Sequence, residues 1–156
     1  MTAKPVEDQA AVKVPTIMLV EDNPPTMELV TEYFVLANEK GHLRCDTVQA
    51  KDGQEAINII DIAQPDMILC DIQMPEKDGF EVLSHFNNWS RKHNPYCFFC
   101  FFSNSEEEKA RAFKEGVDGF LAKKALDYYP LTLQLRSWLK LVAFERKYGE
   151  KMKWYE

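Results

Sequence analysis

The sequence predicts a doubly wound α/β domain built on a parallel sheet. Short runs such as Thr16-Ile-Met-Leu-Val20 and Met67-Ile-Leu-Cys70 are apolar throughout instead of alternating, which marks strands buried on both faces. Amphipathic segments at helical spacing lie between these runs. The alternation of strand and helix continues along most of the chain, and in one sheet it leads to right-handed crossovers. A chain of 156 residues can bury a real core in one domain and is too short for two of ordinary size.

The elements follow in order. Residues 1–15 are polar, with Pro5 and Pro15, and are expected as a loose tail before a domain at 16–145. The first strand, 16–20, ends at Glu21-Asp22. Asn23 can cap the next helix, with Pro24 and Pro25 tolerated in its first turn. Met27, Val30 and Phe34, with Leu29, Tyr33 and Leu36, set that helix's spacing, and Gly41 ends it. A second strand is expected around 44–49, then a helix from Gly53 carrying Ala56, Ile57 and Ile60 on one face. Pro65 breaks the chain before the third strand, 67–70, which ends at Asp71. A loop with Pro75 and Gly79 leads into a helix bearing Phe80, Val82, Leu83 and Phe86.

The fourth strand, around 97–102, ends at Ser103. Ser105-Glu-Glu-Glu108 then fits a capping box, and Gly116 closes the helix it would start. The fifth strand, around 119–122, ends at Lys123. The last helix is expected after Pro130, with Leu131, Leu135, Trp138, Leu139 and Val142 as its apolar stripe. It is expected to continue through Tyr148, so that 146–156 form an extension or tail. Trp154 and Tyr155 there are candidate partner anchors.

Charge and cysteine usage narrow the function classes. The 25 acidic and 19 basic residues leave a net charge of −6, against the basic face a nucleic-acid binder needs. No apolar run approaches the roughly 18 residues of a membrane span, and the opening residues lack the apolar core of a secretory signal. The expected compartment is the cytoplasm. Cys97 and Cys100 form a CxxC spacing, but within a strand residues three apart point to opposite faces. The four cysteines are therefore expected as small buried hydrophobes, not as a redox or zinc site.

In open α/β sheets, function gathers beyond the carboxyl ends of the strands. Glu21-Asp22, Asp71, Ser103 and Lys123 all follow strands there. Taken singly, a strand-end Asp is often a helix cap, a Ser a turn residue and a Lys a solvated charge. Together they form a constellation from four separated segments. Two carboxylates at about 4 Å repel by roughly 4 kcal/mol at an effective dielectric near 20, so three need a counter-charge. A hard divalent ion with oxygen ligands suits them, and Mg²⁺ fits best. Such an ion and a nearby lysine would also neutralise a phosphoryl group.

These residues resemble the receiver domains of two-component response regulators, over about residues 16–143. The resemblance rests on Glu21 and Asp22 in LVEDN, and on DIQMPEKDG with Asp71, Met74, Pro75, Asp78 and Gly79. It also rests on Ser103 and on GVDGFLAK with Phe120 and Lys123. It implies a flavodoxin-like five-stranded sheet in the order 2-1-3-4-5. Asp71 would accept a phosphoryl group from a histidine kinase or histidine phosphotransfer protein. Asp22, Asp71 and the backbone carbonyl of Gln73 would hold Mg²⁺ directly, with Glu21 acting mainly through water. Lys123 would pair with the Asp71 carboxylate, then with the phosphoryl oxygens. Ser103 would move to meet the phosphoryl group while Phe120 turns inward. A separate downstream protein, or a second copy of the chain, would read the face built from the last two helices and strand.

Several positions depart from the family's pattern. Lys124 stands where a proline is usual, and a cis bond before a non-proline residue costs about 2.5–4 kcal/mol, which weighs against cis geometry there. Asn104 replaces a small residue beside the switch hydroxyl and is expected to narrow access to the phosphoryl group and slow its hydrolysis. Phe120 lacks a tyrosine's hydroxyl and so one latch. The competing readings are a phosphorelay intermediate or phosphate sink, and a degenerate receiver used as a scaffold. An aspartate-nucleophile phosphatase of the haloacid dehalogenase type would need an acid two residues after Asp71, where Gln73 stands. No enzymatic activity of that kind is expected. A receiver filling most of the chain is expected to act alone, with its output in another protein.

Overall fold

The computed structural model describes residues 13–149. Five strands, β1 (Thr16–Val20), β2 (Asp46–Ala50), β3 (Met67–Cys70), β4 (Phe98–Phe102) and β5 (Gly119–Leu121), form one parallel sheet in the order β2-β1-β3-β4-β5. The expected strand order is the observed one. Helices α1 (Pro24–Glu39), α2 (Gly53–Ala63), α3 (Gly79–His93), α4 (Lys109–Lys114) and α5 (Tyr128–Tyr148) cover both faces.

Alternation along the central strands builds two cores. Met18, Ile68, Phe99 and Phe101 pack with Ala56 and Ile60 of α2, Val82, Leu83 and Phe86 of α3, and Ala112 of α4. Ile17, Leu19, Leu69, Phe98 and Phe102 pack with Val30 and Phe34 of α1 and Leu131, Leu135 and Leu139 of α5. Every residue of β3 and β4 is buried, as an apolar run inside a two-sided sheet requires. The cysteines obey the same alternation. Cys97 lies in the first core and Cys100 in the second, so the CxxC spacing makes no shared site.

Caps account for most helix starts. Asn23 Oδ1 accepts the Thr26 N–H (3.1 Å), Asp52 Oδ1 that of Glu55 (2.7 Å), and Asp78 with Glu81 forms a reciprocal capping box. The box expected at Ser105-Glu-Glu-Glu108 does not form. The Ser105 N–H donates to Ser103 Oγ (3.1 Å), and α4 begins at Lys109 without a side-chain cap. The last helix starts earlier than expected, at Tyr128, because the Asp127 carboxylate takes the Tyr128 N–H (2.8 Å) and Pro130 fits within the first turn. It then runs unbroken to Tyr148. The second strand starts later than expected, at Asp46, because Asn38 Oδ1 accepts the Cys45 N–H (3.0 Å). Trp154 and Tyr155 lie outside the described residues.

Candidate functional site

The parallel register sets the site. Val20 of β1 pairs with Cys70 of β3, so the next residues, Glu21 and Asp71, emerge side by side at the carboxyl edge. Their backbones continue the ladder: Glu21 N–H donates to Ala50 O (3.1 Å) and Asp71 N–H to Val20 O (2.9 Å). Phe101 of β4 pairs with Phe120 of β5, and Ser103 N–H donates to Leu121 O (2.9 Å), which brings Ser103 and Lys123 to the same edge. Glu21, Asp22, Asp71, Gln73, Ser103, Asn104 and Lys123 line one cleft of about 420 Å³.

Backbone packing holds Asp71 from behind. The Gly79 N–H bonds Ile72 O (2.7 Å), folding the loop after β3 back under the site. A β-carbon at Gly79 would run into the Asp71 carbonyl oxygen, with the Ile72 α-carbon 2.7 Å away and the Phe101 ring 2.9 Å away. Only glycine allows that approach. The motif match points to Gly79, but its contact with Asp71 depends on a loop that no local pattern specifies.

The electrostatics are lopsided. Glu21, Asp22 and Asp71 each offer an oxygen within 4.8 Å of the others. Glu21 and Asp71 are 2% and 6% exposed, while Asp22 faces solvent. Lys123 Nζ lies 2.7 Å from Glu21 Oε2 and 3.1 Å from Asp71 Oδ2. The Glu21 approach is an ion pair without good hydrogen-bond alignment, so that buried oxygen has a counter-charge and no proper donor. The expected pairing of Lys123 with Asp71 is therefore shared with Glu21, which stands closer. Elsewhere Asp71 Oδ1 accepts the Ile72 N–H (2.8 Å) and Glu21 Oε1 that of Asn23 (3.1 Å).

One ammonium does not balance three carboxylates. Burial first, and then the Glu21 charge, push Asp71 up to about 6 despite the opposing pull of Lys123. Burial alone would lower Lys123, but the close Glu21 oxygen and the charges of Asp71 and Glu21 outweigh that and hold it above the usual lysine value.

Ser103 is buried, its hydroxyl oxygen engaged by the Ser105 N–H. Phe120 lies outside the cleft lining, half-buried against the α2–α3–α4 core, with Lys109 Nζ 5.5 Å from its ring centre. The Asn104 side chain crosses to the next loop, where Oδ1 accepts the Lys124 N–H at 2.6 Å. No cis peptide bond occurs among the described residues.

Residues 17–128 match the family described as the response regulator receiver domain. The chain belongs to that family. Receiver domains are the signalling switches of two-component systems, they accept phosphoryl groups, and they bind Mg²⁺ at an acidic pocket. Over 108 residues the chain is 31% identical to the nitrate/nitrite response regulator NarL of Escherichia coli, covering 69% of this chain and 47% of that protein. It thus spans about half the length of that relative. It is 30% identical over 110 residues to the polar-differentiation response regulator DivK of Brucella anthropi, covering 69% of this chain and 83% of DivK. The receiver domain of a sensor histidine kinase of Pseudomonas aeruginosa, solved with magnesium in its active-site cleft, shares the fold. Its TM-score is 0.69 at 18% identity, over 82% of this chain and 99% of that one. Among the described residues no helix is long and apolar enough to cross a membrane.

Proposed function

We propose that Asp71 accepts a phosphoryl group from a phosphohistidine on a histidine kinase or phosphotransfer protein, and that a partner protein in the cytoplasm reads the result. One observation carries this reading. A buried strand-end carboxylate lies beside two others and within 3.1 Å of a lysine ammonium, in a cleft open to a donor. In the transfer an Asp71 oxygen bonds to phosphorus, the P–N bond breaks, and the imidazole leaves with its electron pair and takes up a proton.

The donor set suits Mg²⁺: three carboxylate oxygens within 4.8 Å of one another, short of positive charge. Asp22, Asp71 and the Gln73 carbonyl would hold the ion, with Glu21 acting mainly through water. Bound there, it would supply the charge neutralisation that the carboxylates and an incoming phosphoryl group require. Lys123 is already poised between Glu21 and Asp71, and a phosphoryl group on Asp71 would draw it from Glu21. Ser103 Oγ accepts the Ser105 N–H, and its own proton would be free to donate to a phosphoryl oxygen. Phosphorylation adds nearly two negative charges, and it can bias the loop only through contacts that differ between states. We assign the output to the face of α4, β5 and α5. Phe120 belongs to β5, and the flanking helices carry exposed apolar side chains, Phe113 on α4 and Tyr129 and Leu133 on α5, available to a partner or a second copy.

Incubation with acetyl phosphate and Mg²⁺, followed by mass spectrometry, tests the core of the reading. The native chain should gain one phosphoryl group and Asp71→Asn none. An unmodified native chain under these conditions and with phosphohistidine donors would overturn it.

A further inference from the structure

We infer that Asn104 and Lys124 form one positioning unit that clasps the two switch loops together and sets how long Asp71 stays phosphorylated. Asn104 follows Ser103 in the loop after β4, and Lys124 follows Lys123 in the loop after β5. Their link is short: Asn104 Oδ1 accepts the Lys124 N–H at 2.6 Å, across 20 residues of sequence. The backbone bond that would otherwise continue the ladder there is long, with Lys123 N–H 3.4 Å from Ser103 O. The side-chain bond therefore takes over as the tie just where the sheet ends.

The donor end depends on residue type. A proline at 124 has no N–H to give, so an asparagine at 104 would have nothing to hold. The two departures noted in the sequence are thus two ends of a single bond. Asn104 and Lys123 also line the same cleft above Asp71, so the clasp fixes one wall of it. Asn104 touches no reacting atom. It acts through the placement of Ser103 and Lys123, and breaking the bond should open the cleft to the attacking water.

This inference rests on the phosphoryl-acceptor reading of Asp71, and its test separates the two. Phosphoryl lifetime and the amide exchange of Lys124 are measured in the native chain, Asn104→Ala, Lys124→Pro and the double variant, omitting exchange at 124 where proline removes the amide. Both side chains are exposed, so the variants keep the core. Asn104→Ala should speed Lys124 exchange and hydrolysis on the order of three- to tenfold, the reach of one hydrogen bond. Lys124→Pro should shorten the lifetime similarly, and the double variant should add little beyond either single change, as members of one bond must. Additive effects, an unchanged Lys124 exchange rate, or an unchanged lifetime would overturn the clasp while leaving the acceptor reading intact. A native chain that never takes up phosphoryl would overturn both.

Discussion

At the amino edge of the sheet, Asp66 is 1% exposed and its charge is fully answered. Its Oδ2 accepts the Thr16 N–H at 2.8 Å, its Oδ1 pairs with Arg146 at 2.6 Å, and its backbone extends the ladder to Phe98. At the carboxyl edge, Glu21 and Asp71 are buried almost as deeply, but with Asp22 they share one ammonium. A buried carboxylate is tolerated when donors and counter-charge replace the water it loses. The amino edge meets that condition within the chain. The carboxyl edge does not, and its shortage of positive charge is of the kind that a divalent cation relieves. Asp66 ties the end of α5 to the sheet, while Asp71 stores an imbalance that a ligand can exploit.

The contrast is most exposed to failure at the amino edge. Asp66→Ala should cost roughly 2–4 kcal/mol, less than a fully enclosed pair because Arg146 reaches water, yet with the Thr16 N–H left unpaired. Urea unfolding measures it, and a loss below about 1 kcal/mol would mean that Asp66 is no better served than Asp71.

Asp71→Asn should act in the opposite direction. Its folded-state value of about 6 lies above the ordinary 3.8, so the folded chain holds the extra proton between those pH values. Stability therefore falls as pH rises through that window, and the penalty is fully present above it. Removing the charge should stabilise the protein by about 1–2 kcal/mol near neutral pH, short of the full shift because Lys123 loses a partner. The difference between native and Asp71→Asn stability should shrink towards zero as pH falls below about 4. A flat difference across the window would place the strain elsewhere.

The last effect concerns the ion. At ten times its dissociation constant, Mg²⁺ should stabilise the native chain by about 1.4 kcal/mol, seen as a rise in Tm. Asp22→Ala should remove that gain with little change in the ion-free protein, because Asp22 is exposed. Equal Mg²⁺ stabilisation of both would show binding away from this cleft.

Much of this design was legible in the residues alone. Apolar runs at β1, β3 and β4 identify themselves because strands covered on both faces cannot alternate. Asn23 also showed its role locally, since a cap bonds within its own first turn. The strand-end carboxylates could be grouped because a parallel sheet brings all its carboxyl ends to one edge. What stayed hidden were interactions between segments far apart in sequence. The Ser105 capping box failed because Ser103 Oγ competed for the Ser105 N–H, a choice set by the loop and not by the motif. That Lys123 leans on Glu21 more closely than on Asp71, and that Asn104 meets Lys124, depends on β1, β3, β4 and β5 ending at particular heights beside one another. Residue pattern reports what each segment must bury or cap. The partner each charge finds is settled by sheet order and register, which local sequence does not encode.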